Sequence, residues 1–389
     1  MKALRYNFIV FECVGLWRPV RWSPGWKTKL YDAYTWFMVF FMSSMTVSEF
    51  IDLMGSINNV EAFANNSFIL LTMVSICGKA LNILVKRNEV IKLENILQND
   101  LCHPRTNEES VIQDKFDQLT RLNTVRYGAL TGIGVFVIVM SSFVKDVPRK
   151  TLPFPTWLPY NHTTVTGFWI AYLHQILSHV VGAYINVAFD TLVPGLMLQT
   201  CGQLNILKHR IGRVPSTVTT CDRKNEVSEK SIKVVEVQQI AGCVKHHLEI
   251  FKFAETSNEI FSFVIFLQYT VSTIVLCVSV FGLSKTKLFS PEFFAIFMYL
   301  ACMSLQIFMF CLYGYEVTLE SLNIGDAIYE MNWSTLGITA QRSLVMIMLR
   351  SLRPIEFTSV HIVKLNIESF NSLVKLSYSA FNVLQQSQE

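Results

Sequence analysis

The residues whose type and spacing could do chemistry lie near the end of the chain. Ser372, Leu376, Ser379, Val383 and Gln386 recur at spacings of four, three, four and three, which places them on one helix face. That face is half polar, in a segment otherwise nearly apolar enough to cross a bilayer. A polar stripe inside such a helix must meet other helices or water. Small polar residues can hydrogen-bond between helices, and the same residues can line an aqueous pore; the spacing fits both.

Elsewhere the usual carriers of catalysis do not assemble. The nine cysteines, Cys13, Cys77, Cys102, Cys201, Cys221, Cys243, Cys277, Cys302 and Cys311, contain no CxxC pair. His246 and His247 are adjacent, so they cannot share a helix face as metal ligands. No GxSxG, HExxH or phosphate-binding loop occurs. The expectation is a protein that is not an enzyme and holds no metal or cofactor.

The elements that must position the stripe follow from composition. Of 389 residues, 51% are hydrophobic and 16% charged, against about 25% charged in soluble domains. A net charge of +4, dispersed along the chain, excludes nucleic acid as a partner. Six segments are long and apolar enough to span: 34–54, 63–85, 127–144, 165–189, 260–283 and 293–313. A seventh, 356–384, is interrupted by Glu356, Lys364, Glu368 and Lys375. The prediction is an all-α polytopic membrane protein with seven transmembrane helices.

Charge sets the sidedness, because cytoplasmic loops collect Lys and Arg. The N-terminal stretch, the loop 86–126 and the loop 208–252 together carry 22 of these residues, whereas the three intervening loops carry five, at Lys145, Arg149, Lys150, Lys285 and Lys287. The N-terminus is therefore expected in the cytosol and the C-terminus outside. None of the cysteines falls in an expected outer loop, so no extracellular disulfide framework is implied. Asn161-His162-Thr163 is a glycosylation sequon on an outer loop, and Asn161 is the candidate acceptor. The sequon at Asn65 lies too close to the second span, and that at Asn332 falls on the inner side.

Four regions are expected. Residues 1–33, with Trp17, Trp22 and Trp26 among basic residues, form a cytosolic amphipathic lead-in. Residues 34–313 carry helices one to six with long cytosolic extensions, 314–354 a cytosolic helix that stops before Pro354, and 355–389 the last spanning helix.

The C-terminal third resembles the insect odorant receptor family of seven-helix proteins. The residues that carry this are Phe310-Cys311-Leu312-Tyr313-Gly314 with Glu316, then Ser321, Ala327, Tyr329, Trp333, Arg342 and Pro354. Ser369-Phe370, Ser377-Tyr378-Ser379 and Phe381-Asn382-Val383-Leu384 follow. Asn186 to Thr191, Leu207 to Arg210 and His246 to Phe253 also look like family positions, so the likeness runs from about residue 60 to the end.

The resemblance implies a ligand-gated, non-selective cation channel, a tetramer in which this chain is an odour-tuning subunit beside an odorant receptor co-receptor. It implies a multi-pass protein of the plasma membrane, in olfactory sensory neuron dendrites. It also implies that Ser372, Leu376, Ser379, Val383 and Gln386 line the pore, with Val383 as a hydrophobic gate and Gln386 beside it. Tyr329 and Trp333 would belong to the cytosolic anchor between subunits. Small volatile organic ligands would sit in the outer half of helices two, three, four and six.

Within those helices, periodicity singles out Ile69 and Met73, then Phe136, Met140 and Phe143, then Phe168, Tyr172 and His179, and finally Phe294, Phe297 and Met298. Aromatic and methionine surfaces give a small apolar ligand contact without polar desolvation, and the same residues are also ordinary packing material between helices. Two other functions compete. A metabotropic seven-helix receptor is disfavoured by the inside N-terminus and by the lack of a DRY-like triplet or an NPxxY motif, and a transporter by the lack of an internal repeat.

Overall fold

The computed structural model describes residues 3–19, 22, 25–56, 60–161, 163–223, 229–288 and 290–386. The side chains of residues 60–65, 217–223, 229–232, 281, 285, 291, 292, 380 and 383–386 stand outside that description. Short α1 (Arg5–Cys13) leads into α2 (Trp26–Gly55) and α3 (Val60–Val85). Then come short α4 (Arg87–Leu97) and the long helices α5 (Asn107–Lys145), α6 (Val165–Arg223), α7 (Glu229–Lys285) and α8 (Pro291–Glu330). Helix α9 (Ile338–Ser351), a hairpin of β1 (Thr358–Ser359) and β2 (Val363–Lys364), and α10 (Ile367–Gln386) complete the order.

Among the described residues six helices, α2, α3 and α5 to α8, are long and apolar enough to cross a membrane. Helix α6 has 59 residues, and at about 1.5 Å per residue it travels about 88 Å, nearly three times the thickness of the hydrocarbon core. Together with the 57 residues of α7 it must therefore extend well beyond the bilayer. The cores of both helices fuse into one cluster, in which Phe189, Leu192, Leu196, Met197, Phe253, Phe261 and Ile265 are buried.

Local chemistry fixes the helix starts. Thr106 caps α5 by accepting the Glu109 N–H, while the Glu109 carboxylate reaches back to the Arg105 N–H at 2.7 Å, so two otherwise orphaned donors are satisfied. Ser290 caps α8 in the same way, with Pro291 in the first turn, where its missing N–H is not needed. Helix α6 runs unbroken through Pro194, and α1 packs against it beside Gly195, where a β-carbon would collide with Leu4.

The last helix starts at Ile367 rather than at Glu356. Residues 356–366 instead form the hairpin, held by Thr358 and Ser359 bonding to Asn258 and Ser262 of α7. Val360 and His361 take left-handed backbone angles at its turn, and Glu356 and Lys364 pair at 2.9 Å outside the helix, which removes two of the four charges expected in the last span. Asn366 accepts the Ser369 N–H at the start of α10. Gly314 of α8, part of the family-like motif, is where the Leu365 carbonyl approaches too closely for any β-carbon. Helix α10 then docks through Phe370 on Phe308 and through the Tyr269 hydroxyl on the Ser369 carbonyl.

Candidate ligand cavity, candidate pore face and Arg210 cluster

A cavity of about 370 Å³ opens between α3, α5, α6, α7 and α8, close to the loop 146–164. Its walls are overwhelmingly apolar: Ile76 on α3, Val135 and Ile138 on α5, Ile176 and Ala183 on α6, Val278 on α7, Ile296 on α8. The loop contributes Phe154, which stacks on His179 with ring centroids 3.9 Å apart. Gln175 clamps that loop by exchanging hydrogen bonds with the Phe154 backbone and with Thr156. On α3 and α8 the Thr72 and Tyr299 hydroxyls meet at 2.5 Å.

The sequence-selected ligand residues divide. Ile69, Met73, His179 and Met298 line the cavity. Phe136, Met140, Phe143, Phe294 and Phe297 do not; they are exposed on outward faces of α5 and α8, Phe136 at 65%. Phe168 and Tyr172 are buried but stack on each other, and Tyr172 bonds Ser142 at 3.4 Å, so they hold α5 against α6. The physical reason is that a cavity is a deficit of side-chain volume. Thr131, Gly134, Val135 and Ile138 make that wall of α5, about 150° around the helix from the bulky stripe, which is left to the surroundings. The contributions of α7 and Phe154 carry no periodic signal in the sequence.

Beneath the cavity lies a polar layer that sequence reasoning missed. Lys79 of α3 pairs with Asp190 of α6 at 2.6 Å, both side chains fully buried, and also bonds Asn186 Oδ1 at 2.5 Å. Asn186 donates to Gln306 of α8 at 3.0 Å, and Tyr127 of α5 donates to the same oxygen at 3.3 Å. Gln306 in turn reaches Ser272, which also receives Gln268 of α7, and Ser75 donates to Gln268 at 2.6 Å. A lysine and an aspartate within apolar spans are the signal that could have found it, since such charges need each other.

On α10, Leu373 and Ser377 are buried against the chain's own helices, whereas Ser372, Leu376 and Ser379 are exposed, as are Val374, Lys375 and Tyr378. The Ser379 hydroxyl bonds only its own helix, at Lys375 O. These three members of the stripe are thus free of the core. The side chains of Val383 and Gln386, its last two members, lie outside the described residues.

The N-terminal end of α5 and neighbouring stretches of α6 and α7 meet around Arg210. Its guanidinium uses all five donors: a fork to Glu109 at 3.1 and 2.9 Å, the carbonyls of Leu101 and His103, and Nδ1 of His246 at 3.2 Å. Because Nδ1 faces a donor it must keep its lone pair, so the His246 proton sits on Nε2, directed at Gln203 Oε1 at 2.9 Å. Burial, joined by the charges of Arg210, Arg105 and His247, pushes His246 down to about 3. Burial opposes ionisation of Glu109, but the Arg210 hydrogen bonds, the Arg105 N–H and the Arg210 charge outweigh it and hold the carboxyl below the usual range. Of the expected anchor residues, Tyr329 is 74% exposed and Trp333 packs partly buried against the core.

Asn161 is exposed, and its Oδ1 accepts the N–H and hydroxyl of Thr163 at 2.9 and 2.8 Å.

Comparison with known proteins points one way. A family model described as 7tm Odorant receptor matches residues 59–378. The chain is similar to Odorant receptor 46a, isoform A, of Drosophila melanogaster, at 25% identity over 96% of this chain and 94% of that one. It is likewise similar to Odorant receptor Or1 of Anopheles gambiae, at 25% identity over 97% and 94%. Among solved structures, the insect olfactory receptor OR5 from Machilis hrabei in complex with eugenol shares the fold, with a TM-score of 0.84 at 16% identity over 99% of this chain and 97% of that one.

Proposed function

The chain belongs to the 7tm odorant receptor family, and from that we propose that it is an odour-binding subunit of a ligand-gated, non-selective cation channel that opens with a co-receptor. The observation that carries the ligand reading is the apolar cavity of about 370 Å³ enclosed by the spanning helices, a size suited to small organic molecules. A receptor of the same fold was solved with eugenol, which supports a small volatile ligand here as well. The ligand would enter among Ile69, Met73, His179 and Met298 and the smaller residues beside them.

The channel reading draws on family membership and on α10. The side chains of Ser372, Leu376 and Ser379 are exposed, as a pore-lining face must be in a single subunit taken from a ring. Val383 and Gln386 continue the same face by spacing, Val383 as an apolar constriction and Gln386 as a partial substitute for ion hydration. The assembly would be a tetramer with the co-receptor, anchored through the inner ends of α6 to α8, α9 and Tyr329 and Trp333. The N-terminus would lie in the cytosol and the C-terminus outside, in the plasma membrane of olfactory sensory neuron dendrites.

The test is to record current from cells carrying this chain alone, a co-receptor alone and both, while applying a panel of volatiles. Ligand-evoked cation current within milliseconds, without GTP and requiring both chains, is expected. Robust current from this chain alone would overturn the tuning-subunit assignment, and a response that needs a G protein would overturn the channel.

A further inference from the structure

On the wall where α5 meets α8, the cavity carries a small cluster of hydroxyls, and their protons can be assigned. Thr72 donates its single hydroxyl proton to the Phe68 carbonyl at 2.8 Å, so in its contact with Tyr299 the tyrosine is the donor. Tyr127 commits its proton to Gln306 Oε1. Both phenolic oxygens keep lone pairs. Thr131 stands one helical turn from Tyr127 on the same face of α5 and also lines the cavity. Its Oγ1 is buried without a partner in hydrogen-bonding geometry, although it lies close enough to the Tyr127 hydroxyl and the Cys302 thiol to act on both.

An unpaired buried hydroxyl is costly, and here it borders an empty volume. The site therefore offers one uncommitted donor, Thr131, beside acceptor oxygens on Tyr127 and Tyr299. We propose that this wall is a polar subsite that selects small alcohols and phenols: the ligand oxygen accepts from Thr131 while the ligand hydroxyl donates to a phenolic oxygen. The inference rests on the reading of the cavity as the ligand site. A methyl ether of the same shape can take only the bond from Thr131, and a hydrocarbon takes neither and leaves Thr131 unpaired. Preference should fall in the order alcohol, ether, hydrocarbon, by about fivefold to tenfold for each bond lost.

The experiment uses the purified full chain and two matched series: octanol, octyl methyl ether and decane; para-cresol, para-methylanisole and para-ethyltoluene. Binding is read as ligand-induced thermal stabilisation, which does not require conduction. In the wild-type chain the alcohol and the phenol should bind most tightly; equal binding across each series overturns the subsite whatever the variants do. Thr131→Val, nearly isosteric, should bring alcohol binding to the level of the ether, and Thr131→Ser should restore the preference. Retention of the full preference in Thr131→Val overturns the proposal. Ala183→Phe, which fills the cavity from α6, separates the two readings. If it leaves all binding intact, the cavity is not the ligand site; if it abolishes binding while Thr131→Val changes nothing, the cavity stands and the polar subsite falls.

Discussion

Lys79 Nζ lies 2.6 Å from Asp190 Oδ1, and neither side chain has any exposed surface. Such a pair joins α3 to α6 directly beneath the cavity, with Asn186 belonging both to the cavity wall and to the network. Removing one partner leaves a buried charge uncompensated, at a cost of about 3–5 kcal/mol, whereas replacing both with apolar groups of similar volume is far milder. Lys79→Met should therefore lower the melting temperature of the purified protein sharply, and Lys79→Met combined with Asp190→Leu should recover most of the loss. A single variant that melts like the wild type would show that the pair is not needed to offset a buried charge.

The cluster around Arg210 predicts a pH dependence of stability. His246 is neutral in the fold and held down to about 3 from 6.5, and His247 down to about 4 by burial and the Arg350 charge. The unfolded chain therefore binds protons that the folded chain refuses, and only below about pH 6.5. Their stabilising contribution is whole above that value and is lost progressively as pH falls toward the folded values. Glu109, held below its usual range, acts in the same direction at lower pH. Melting temperature should drop between about pH 7 and about pH 5.5, and His246→Gln, which keeps a donor and an acceptor but cannot titrate, should flatten the slope by about half. An unchanged slope in that variant would remove His246 from the account.

Cysteine substitutions can map the two faces of α10. In channels assembled with a co-receptor, Leu376→Cys and Ser379→Cys should react with a charged thiol reagent and reduce the evoked current, because those positions are exposed. Leu373→Cys and Ser377→Cys, buried against α7 and α8, should stay inert. Reactivity in the reverse pattern would put the pore on another face. Val383→Ala should raise the current that flows without ligand, as a weakened apolar constriction admits water.

Sidedness has a direct biochemical reading at Asn161. Glycosylation there should add a mobility shift that an N-glycanase removes and that Asn161→Gln abolishes. A tag on the N-terminus should be labelled only after permeabilisation; labelling in intact cells would invert the topology.

Much of this protein is written in its sequence by itself. Six apolar segments, the charge asymmetry between alternate loops and the four-three spacing on the last helix each follow from one stretch of chain meeting lipid or water, so no tertiary knowledge is needed to see them. Even the caps at Thr106 and Ser290 are local. What the sequence could not rank was helix faces inside the apolar region. A spanning helix is apolar toward lipid and toward protein alike, so Phe136, Met140 and Phe143 look as good a cavity wall as Thr131, Val135 and Ile138, and only packing decided which of them line the cavity. The same holds for the pairing of Lys79 with Asp190, 111 residues apart, and for the hairpin that starts α10 at Ile367. Each depends on which helix lies next to which, and that is fixed by side-chain volumes summed across the bundle rather than by any local pattern.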